Sequence, residues 1–186
     1  PRRQELLAQI GVAFEVLRLR EAAGRPPDVL EVARDGEPAP HYVERIARTK
    51  ANAGWHTMTS RGLEARPVLG ADTEVVIDGE LLGKPADERA AKAMLARLAG
   101  RTHEVITAVA LRWNDATHFA LSTSKVTLAP LPRAAIAAYV ASGESFDKAG
   151  GYAIQGRAAA FVTRLEGSYS GVMGLPLAET AALLGE

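Results

Sequence analysis

The stretch that decides the fold is Val68–Pro85, which reads VLGADTEVVIDGELLGKP. Its run Val75–Ile77 is apolar and β-branched, which predicts a buried strand. Asp78-Gly79 follows at once, and this dipeptide is typical of the tight turn of a β-hairpin. The returning strand ends in GKP, so the hairpin brings Lys84 back towards Asp72. An acid and a base at the rim of a sheet suit a metal-bound phosphate; the alternative is that Asp72, close to a glycine, is an ordinary turn residue.

The composition limits the classes of partner. With 186 residues, of which 47% are hydrophobic and 24% charged, the chain has room for one domain or two closely joined lobes. Lys+Arg and Asp+Glu number 22 each, so no overall field attracts nucleic acid or an anionic membrane. We therefore expect neither partner. The absence of cysteine excludes thiolate chemistry and fits a reducing compartment, so we expect a cytoplasmic protein.

The N-terminal segment PRRQELL predicts a helix that begins at Pro1 and ends at Gly11. Arg2 and Arg3 then lie at the positive end of the helix dipole, which is unfavourable unless an anion binds there. The alternative is a pair of solvated arginines. Val12–Leu19 alternates like a strand, and we predict one there.

A second helix is predicted after a loop. The segment Arg20–Gly36 is rich in proline, glycine and charge and reads as a loop. A helix should run from Glu37 to about Ala53, closed by Gly54. Lys50 falls on the apolar stripe of that helix, so it must either snorkel to solvent or meet an anion.

The remaining segments complete an α/β fold with a mixed sheet. Asp87 is a suitable N-cap for the next helix. In chain order we predict a helix, two antiparallel strands joined near Asn114-Asp115, a helix, a strand, a glycine-rich loop and a closing helix: Glu88–Ala99, His103–Arg112, His118–Leu128, Leu131–Ser142, Ala158–Leu165, Gly167–Gly174 and Pro176–Leu184.

The usual catalytic motifs are absent from the sequence. It contains no GxxxxGK[ST], GxGxxG, GxSxG or HExxH motif, and its four histidines show no ligand spacing. What remains is a set of charged residues at the ends of predicted elements: Arg2, Arg3, Glu31, Lys50, Asp72, Lys84, Asp147 and Lys148. Several cations with a few carboxylates suit metal-assisted attack of water on a polyphosphate, with Mg²⁺ as the natural ion and Mn²⁺ as a second choice. A mosaic of solvated surface charges is the alternative.

Five blocks of the sequence carry a resemblance to a known family. In order they are PRRQELL, GADTEVVIDGELLGKP, LAGRTHEVITAV, FDKAGGYAIQG and YSGVMGLPLAET. Together they closely resemble the Maf family of nucleoside triphosphate pyrophosphatases, long called septum formation inhibitors. The resemblance implies hydrolysis of the α–β phosphoanhydride to a monophosphate and pyrophosphate. It also implies one domain over residues 1–186, with a long curved mixed β-sheet flanked by helices, two lobes around a central cleft like the inosine-triphosphate pyrophosphatases, and a homodimer.

The resemblance also assigns roles to residues. Asp72 matches the proposed catalytic base and a metal ligand, and Lys50 and Lys84 match phosphate-contacting lysines of the catalytic group. Glu31 matches an acidic metal ligand, although the loop before it is long for the family and Asp28 or Glu37 could serve instead. The substrate-binding set is Arg2, Arg3, Thr73, Lys148 and Gln155.

The form DKAGGYAIQG resembles the subfamily that acts on dTTP and UTP. Arg2, Thr73 and Gln155 occupy the positions associated with that choice, and an amide such as Gln155 offers a donor and an acceptor to the O4/N3–H edge of uracil or thymine. The alternative for Gln155 is an amide that braces the backbone of its loop. The strand and serines that the family places before Pro1 are absent from the sequence.

Two other functions compete with this one. The chain could be a nucleotide-binding regulator of cell division in which hydrolysis is incidental or lost. It could also be a house-cleaning enzyme for modified pyrimidine nucleotides, which keeps the chemistry and changes the substrate.

Overall fold

The computed structural model describes residues 2–19 and 27–185. The predicted role of Pro1 and the first part of the predicted loop, residues 20–26, lie outside the described residues. Six helices are described: α1 Arg2–Gln9, α2 Ala39–Ser60, α3 Glu88–Leu98, α4 Arg133–Ala141, α5 Tyr169–Met173 and α6 Leu177–Leu184. Five strands are described: β1 Val68–Ile77, β2 Glu80–Leu81, β3 Thr102–Trp113, β4 Ala116–Leu128 and β5 Val162–Glu166.

The strands form one sheet in the order β2-β1-β3-β4-β5. The α/β class is confirmed, but the predicted mixed sheet is wrong for the described residues, because all four strand pairings are antiparallel. Asp78 and Gly79 join β1 to β2 with φ values of 55° and 78°, as the predicted tight turn requires. The likeness to inosine-triphosphate pyrophosphatases stays a prediction.

Each face of the sheet is covered by a different set of helices. On one face, Val76 of β1 and Ala108 of β3 pack with α2 in one apolar cluster. On the other face, Val75, Ile77 and Val105 pack with α3 and α4 in a second cluster. Because side chains alternate along a strand, neighbouring residues of β1 face opposite sides of the sheet.

Helix α2 crosses β1 at very short range. A Cβ on Gly70 would lie 2.6 Å from both the carbonyl oxygen of Ala47 and the backbone nitrogen of Ala51, so glycine is required for this approach. One turn of α2 is therefore held directly against the first half of β1. This contact brings Lys50 to the strand residue Asp72.

Two predictions in the N-terminal part are wrong, one about a strand and one about the end of a helix. Val12–Leu19 is not a strand: it is mostly exposed and pairs with no strand among the described residues. Helix α2 does not end at Gly54 but continues to Ser60, and Gly62, with φ of 65°, follows its end. A Cβ on Gly54 would lie 2.8 Å from Val68 Cγ1, so this glycine serves packing rather than termination.

The C-terminal part departs from prediction in two places. Ala158–Leu165 begins as a 3₁₀ turn, Arg157–Phe161, and the strand starts only at Val162. The predicted loop Gly167–Gly174 contains helix α5, because Ser168 accepts a hydrogen bond from the Gly171 nitrogen at 2.9 Å and starts a helical turn.

The other predicted elements are confirmed within a few residues of their ends. They include α1, the strand pair β3–β4, α4 and α6. Asp87 caps α3 by accepting a hydrogen bond from the Ala90 nitrogen at 2.7 Å. Within residues 2–19 and 27–185, no helix is long and apolar enough to cross a membrane.

Candidate active site

A cleft of about 160 Å³ opens at the outer edge of β1. Strand β2 pairs only with Val76 and Ile77, so the earlier part of β1 has an open edge in the described structure. Side chains from both faces of the sheet therefore reach the cleft. Its charged side consists of Arg2, Arg3, Lys50, Asp72, Lys84, Asp147 and Lys148, and its apolar side includes Val75, Val105, Tyr152, Ile154, Val172 and Met173.

Lys50 joins Asp72 of the charged side to Glu31, which is not among the described residues that line the cleft. Its Nζ lies 2.7 Å from Asp72 Oδ1 and 2.8 Å from Glu31 Oε1. Lys84 Nζ lies 3.9 Å from Glu31 Oε2, so both lysines approach the same acid. Burial raises the pKa of Glu31, but the hydrogen bond and charge of Lys50, followed by the charge of Lys84, outweigh it and the net pKa is lowered. Glu31 is therefore held as an anion beside Asp72.

The second oxygen of Asp72 is the notable atom of this cluster. Asp72 is 5% exposed, and its Oδ2 is buried without a hydrogen-bond partner among the described residues. A buried carboxylate oxygen left unpaired costs free energy, unless a ligand, an ion or water meets it. The atom is therefore free to accept a proton or to bind a cation.

The described residues contain no group of three or more His, Asp or Glu side chains arranged to hold a metal ion. Mg²⁺ does not require such a group, because it takes one or two carboxylates and completes its shell with water and phosphate oxygens. Asp72 and Glu31 supply those two carboxylates on either side of Lys50. The donor set therefore fits a divalent ion that binds together with a phosphate ligand.

Glu74 is a carboxylate that sequence reasoning missed. It follows Asp72 by two positions on β1 and so lies on the same face of the strand. Burial, followed by the charge of Asp72, raises its pKa to about 7, while a hydrogen bond from the Gly83 backbone lowers it in part. The alternation of the strand could have revealed it, because a glutamate in a buried strand demands a partner.

The arginine pair lies beside these acids. Arg3 Nε donates to the carbonyl oxygen of Gly174 at 2.8 Å, and its Nη2 lies 3.4 Å from Thr73 Oγ1. Burial lowers the pKa of Arg3, and the charge of Asp72 partly offsets that effect. Arg2 also lines the cleft. Helix α1 thus brings two guanidinium groups to the cleft.

Lys148 is a further cation of the cleft. It lines the cleft and donates from Nζ to the carbonyl oxygen of Phe146 at 3.2 Å. Burial, followed by the charge of Arg2, lowers the pKa of Lys148. An anion in the cleft would relieve the repulsion between these two cations.

The remaining predicted residues lie elsewhere. Gln155 is not among the described residues that line the cleft, and its Oε1 is buried without a hydrogen-bond partner in the described structure. Glu37 pairs with Arg45, with two contacts of 2.6 Å, on a separate surface groove. Asp28 is likewise not among the described lining residues. Glu31 is also not a described lining residue, but its contacts with Lys50 and Lys84 join it to the site.

The fold and the site define an α/β protein with a cleft lined by several cationic side chains. The family model described as "Maf-like protein" matches residues 1–186. The chain is 55% identical over 186 residues to a dTTP/UTP pyrophosphatase of Nitrosospira multiformis, which covers 100% of this chain and 90% of that protein. It is 56% identical over 188 residues to a dTTP/UTP pyrophosphatase of Burkholderia pseudomallei, with 99% and 88% covered. A protein of the same name from Nitrosomonas europaea is 51% identical over 185 residues, with 100% and 89% covered. The chain belongs to the Maf family.

Proposed function

We propose that this protein is a nucleoside triphosphate pyrophosphatase that hydrolyses the α–β phosphoanhydride of dTTP and UTP. The observation that carries the proposal is the buried, unpartnered Oδ2 of Asp72, in a cleft where Lys50 fixes the other oxygen of that carboxylate. The names of the relatives support the substrate class, because identity above 50% extends over the whole chain.

The charges of the cleft suit a triphosphate. Arg2, Arg3, Lys84 and Lys148 supply positive charge around Asp72, and the non-bridging oxygens of a triphosphate gain negative charge as the anhydride bond breaks. Lys50 already shares its charge with Asp72 and Glu31. We therefore assign Lys50 to the orientation of the two carboxylates and the other cations to the phosphate oxygens.

Asp72 has the central chemical role in this proposal. Water attacks the α-phosphorus, the bond to the bridging oxygen breaks, and the proton of the water passes to Oδ2 of Asp72. The products are a nucleoside monophosphate and pyrophosphate. Asp72 and Glu31 would hold a divalent cation, Mg²⁺ or Mn²⁺, which supplies Lewis-acid stabilisation of the phosphate oxygens when bound.

The apolar part of the lining suggests where the nucleobase binds. Val75, Val105 and Ile154 are apolar residues of the lining, and we propose that the flat pyrimidine packs against them. Gln155 is proposed to read the O4/N3–H edge of that pyrimidine by donating from its amide nitrogen to O4. This role requires its loop to move closer to the cleft, or the base to extend beyond the described lining.

Three further parts of the proposal rest on family membership. We propose one domain of two lobes around the cleft, a homodimer, and a place in the cytoplasm. A nucleic-acid or membrane partner is not part of the proposal, because positive and negative charges balance at 22 each.

Hydrolysis in ¹⁸O-labelled water tests the assigned bond. Attack at the α-phosphorus predicts that the label enters the nucleoside monophosphate and that pyrophosphate stays unlabelled, as read by mass spectrometry. If the label enters inorganic phosphate and the other product is a nucleoside diphosphate, the β–γ bond is cleaved and the assignment is refuted.

A further inference from the structure

A short chain of hydroxyl groups crosses from β1 to β3 beneath the cleft. Thr73 and Thr107 are direct cross-strand partners, on the face of the sheet opposite to Asp72. Thr107 is fully buried, and its Oγ1 lies 2.8 Å from the carbonyl oxygen of Gly171. The same Oγ1 lies 2.9 Å from Thr73 Oγ1.

The donors and acceptors of this chain can be assigned by counting hydrogens. A hydroxyl carries one hydrogen, and a carbonyl oxygen only accepts. Thr107 therefore donates its hydrogen to Gly171, and Thr73 must donate its own hydrogen to Thr107. Nη2 of Arg3 lies 3.4 Å from Thr73 Oγ1 and donates to one of its lone pairs. Thr73 consequently offers the cleft a single acceptor and no donor.

The single acceptor of Thr73 favours ligand groups that carry a hydrogen. A phosphate oxygen only accepts, so it gains nothing from Thr73, whereas an N–H group does. Thr73 lies beside the apolar lining formed by Val75 and Val105, where we have placed the base. Uracil and thymine carry N3–H, whereas the N3 of cytosine is an acceptor that would face the lone pair of Thr73.

We propose that Thr107 is a positioning residue that makes the cleft select uracil and thymine over cytosine, by fixing the Thr73 hydroxyl as an acceptor. The inference rests on the proposed function for the identity of the ligand. A cytosine in the same position leaves two facing acceptors unpaired, which weakens binding by about tenfold or more. Thr107 is not among the described residues that line the cleft and reaches the ligand through Thr73, while the Gly171 carbonyl that it also contacts still accepts from the Gly174 nitrogen at 2.9 Å. Its removal should therefore change the choice of nucleobase and spare the phosphate contacts.

Thr107→Val and Thr107→Ser separate this role from packing. Valine removes the acceptor for Thr73, whose hydroxyl can then turn and donate to the N3 of cytosine; serine keeps the acceptor. The readout is the ratio of dissociation constants for the non-hydrolysable α,β-methylene analogues of UTP and CTP, measured by calorimetry. The ratio is taken within one protein, so a change in the folded fraction does not alter it. Thr102→Val is the matched control, because Thr102 and Thr127 form a similar exposed hydroxyl pair at 2.8 Å.

We expect wild type, Thr107→Ser and Thr102→Val to prefer the UTP analogue by about tenfold or more, and Thr107→Val to fall to about threefold or less. An unchanged ratio in Thr107→Val overturns the proposal. If that variant does not fold, Thr73→Val replaces it: loss of the preference supports the proposal, and a retained preference overturns it. Wild-type binding with the expected preference but without pyrophosphate release would refute the proposed function alone. If the wild type binds neither analogue, both the proposal about Thr107 and the proposed function are overturned.

Discussion

Acidification should destabilise this protein through one histidine. His103 on β3 is 3% exposed, and its Nε2 lies 2.7 Å from the hydroxyl of Tyr152. Its Nδ1 is buried without a hydrogen-bond partner among the described residues. Burial lowers the pKa of His103 from 6.5 to about 4, because the charged imidazolium would lose its hydration.

The sign and size of the effect follow from that pKa. Between pH 6.5 and about 4 the unfolded chain binds a proton that the folded protein does not. The stability contributed by neutral His103 is therefore complete above pH 6.5 and is lost as the pH falls through that range. At about 1.4 kcal/mol for each pH unit, the loss amounts to roughly 3 kcal/mol.

Urea unfolding of wild type and His103→Gln between pH 4 and 7.5 measures this loss. Glutamine keeps a polar group for the Tyr152 hydroxyl but does not titrate, so the difference in unfolding free energy between the two proteins should narrow by roughly 3 kcal/mol on acidification. His118→Gln, at an exposed position of β4, is the control. Its unfolding free energy should decrease on acidification by as much as that of the wild type. Parallel pH profiles for wild type and His103→Gln would refute the reasoning.

Three further substitutions test the site and the fold. Asp72→Asn should lower turnover by a factor of roughly 10²–10⁴ with the fold intact, because it removes the proton acceptor. Asp115→Asn, at an exposed turn, is the control. Unchanged turnover in Asp72→Asn would remove Asp72 from the mechanism. Gln155→Leu should alter the ranking of nucleotides more than the overall activity, and an unchanged ranking in a substrate panel would contradict base reading by this amide. Gly70→Ala should cost about 1–3 kcal/mol or more, since its Cβ would meet α2 backbone atoms at 2.6 Å; an unchanged melting temperature would contradict that contact.

The sequence predicted best what local signals determine. Asp78-Gly79 forms the expected turn, because positive φ at both positions is a property of the dipeptide itself. Lys50 was predicted to snorkel or to meet an anion, and it meets two carboxylates. A lysine on an apolar stripe is a local anomaly whose cause could be predicted even though its partners could not.

Features that depend on distant residues were predicted poorly. Val12–Leu19 has the alternation of a strand, but a strand needs a partner, and none is supplied by the described residues. Gly54 resembles a helix stop, and only its contact with Val68 reveals that it serves packing. The acceptor role of Thr107 towards Thr73 requires the register of β1 against β3, which no local pattern contains.

Other parts of the site differ in how far the sequence could predict them. Asp72 and Glu74 share one face of β1 by simple alternation, so the second acid could have been found from the sequence. The position of Gln155 away from the described lining could not, because it depends on how the loop of residues 149–156 packs.

The measurement that tests the central claim most directly is pyrophosphate release from a panel of nucleotides. The panel contains dTTP, UTP, CTP, ATP, GTP and 7-methyl-GTP, each assayed with Mg²⁺ and with Mn²⁺. We predict release from dTTP and UTP well above that from the other four nucleotides. Release from none of them by folded protein that still binds nucleotide would contradict the proposed enzyme and favour the nucleotide-binding regulator of cell division.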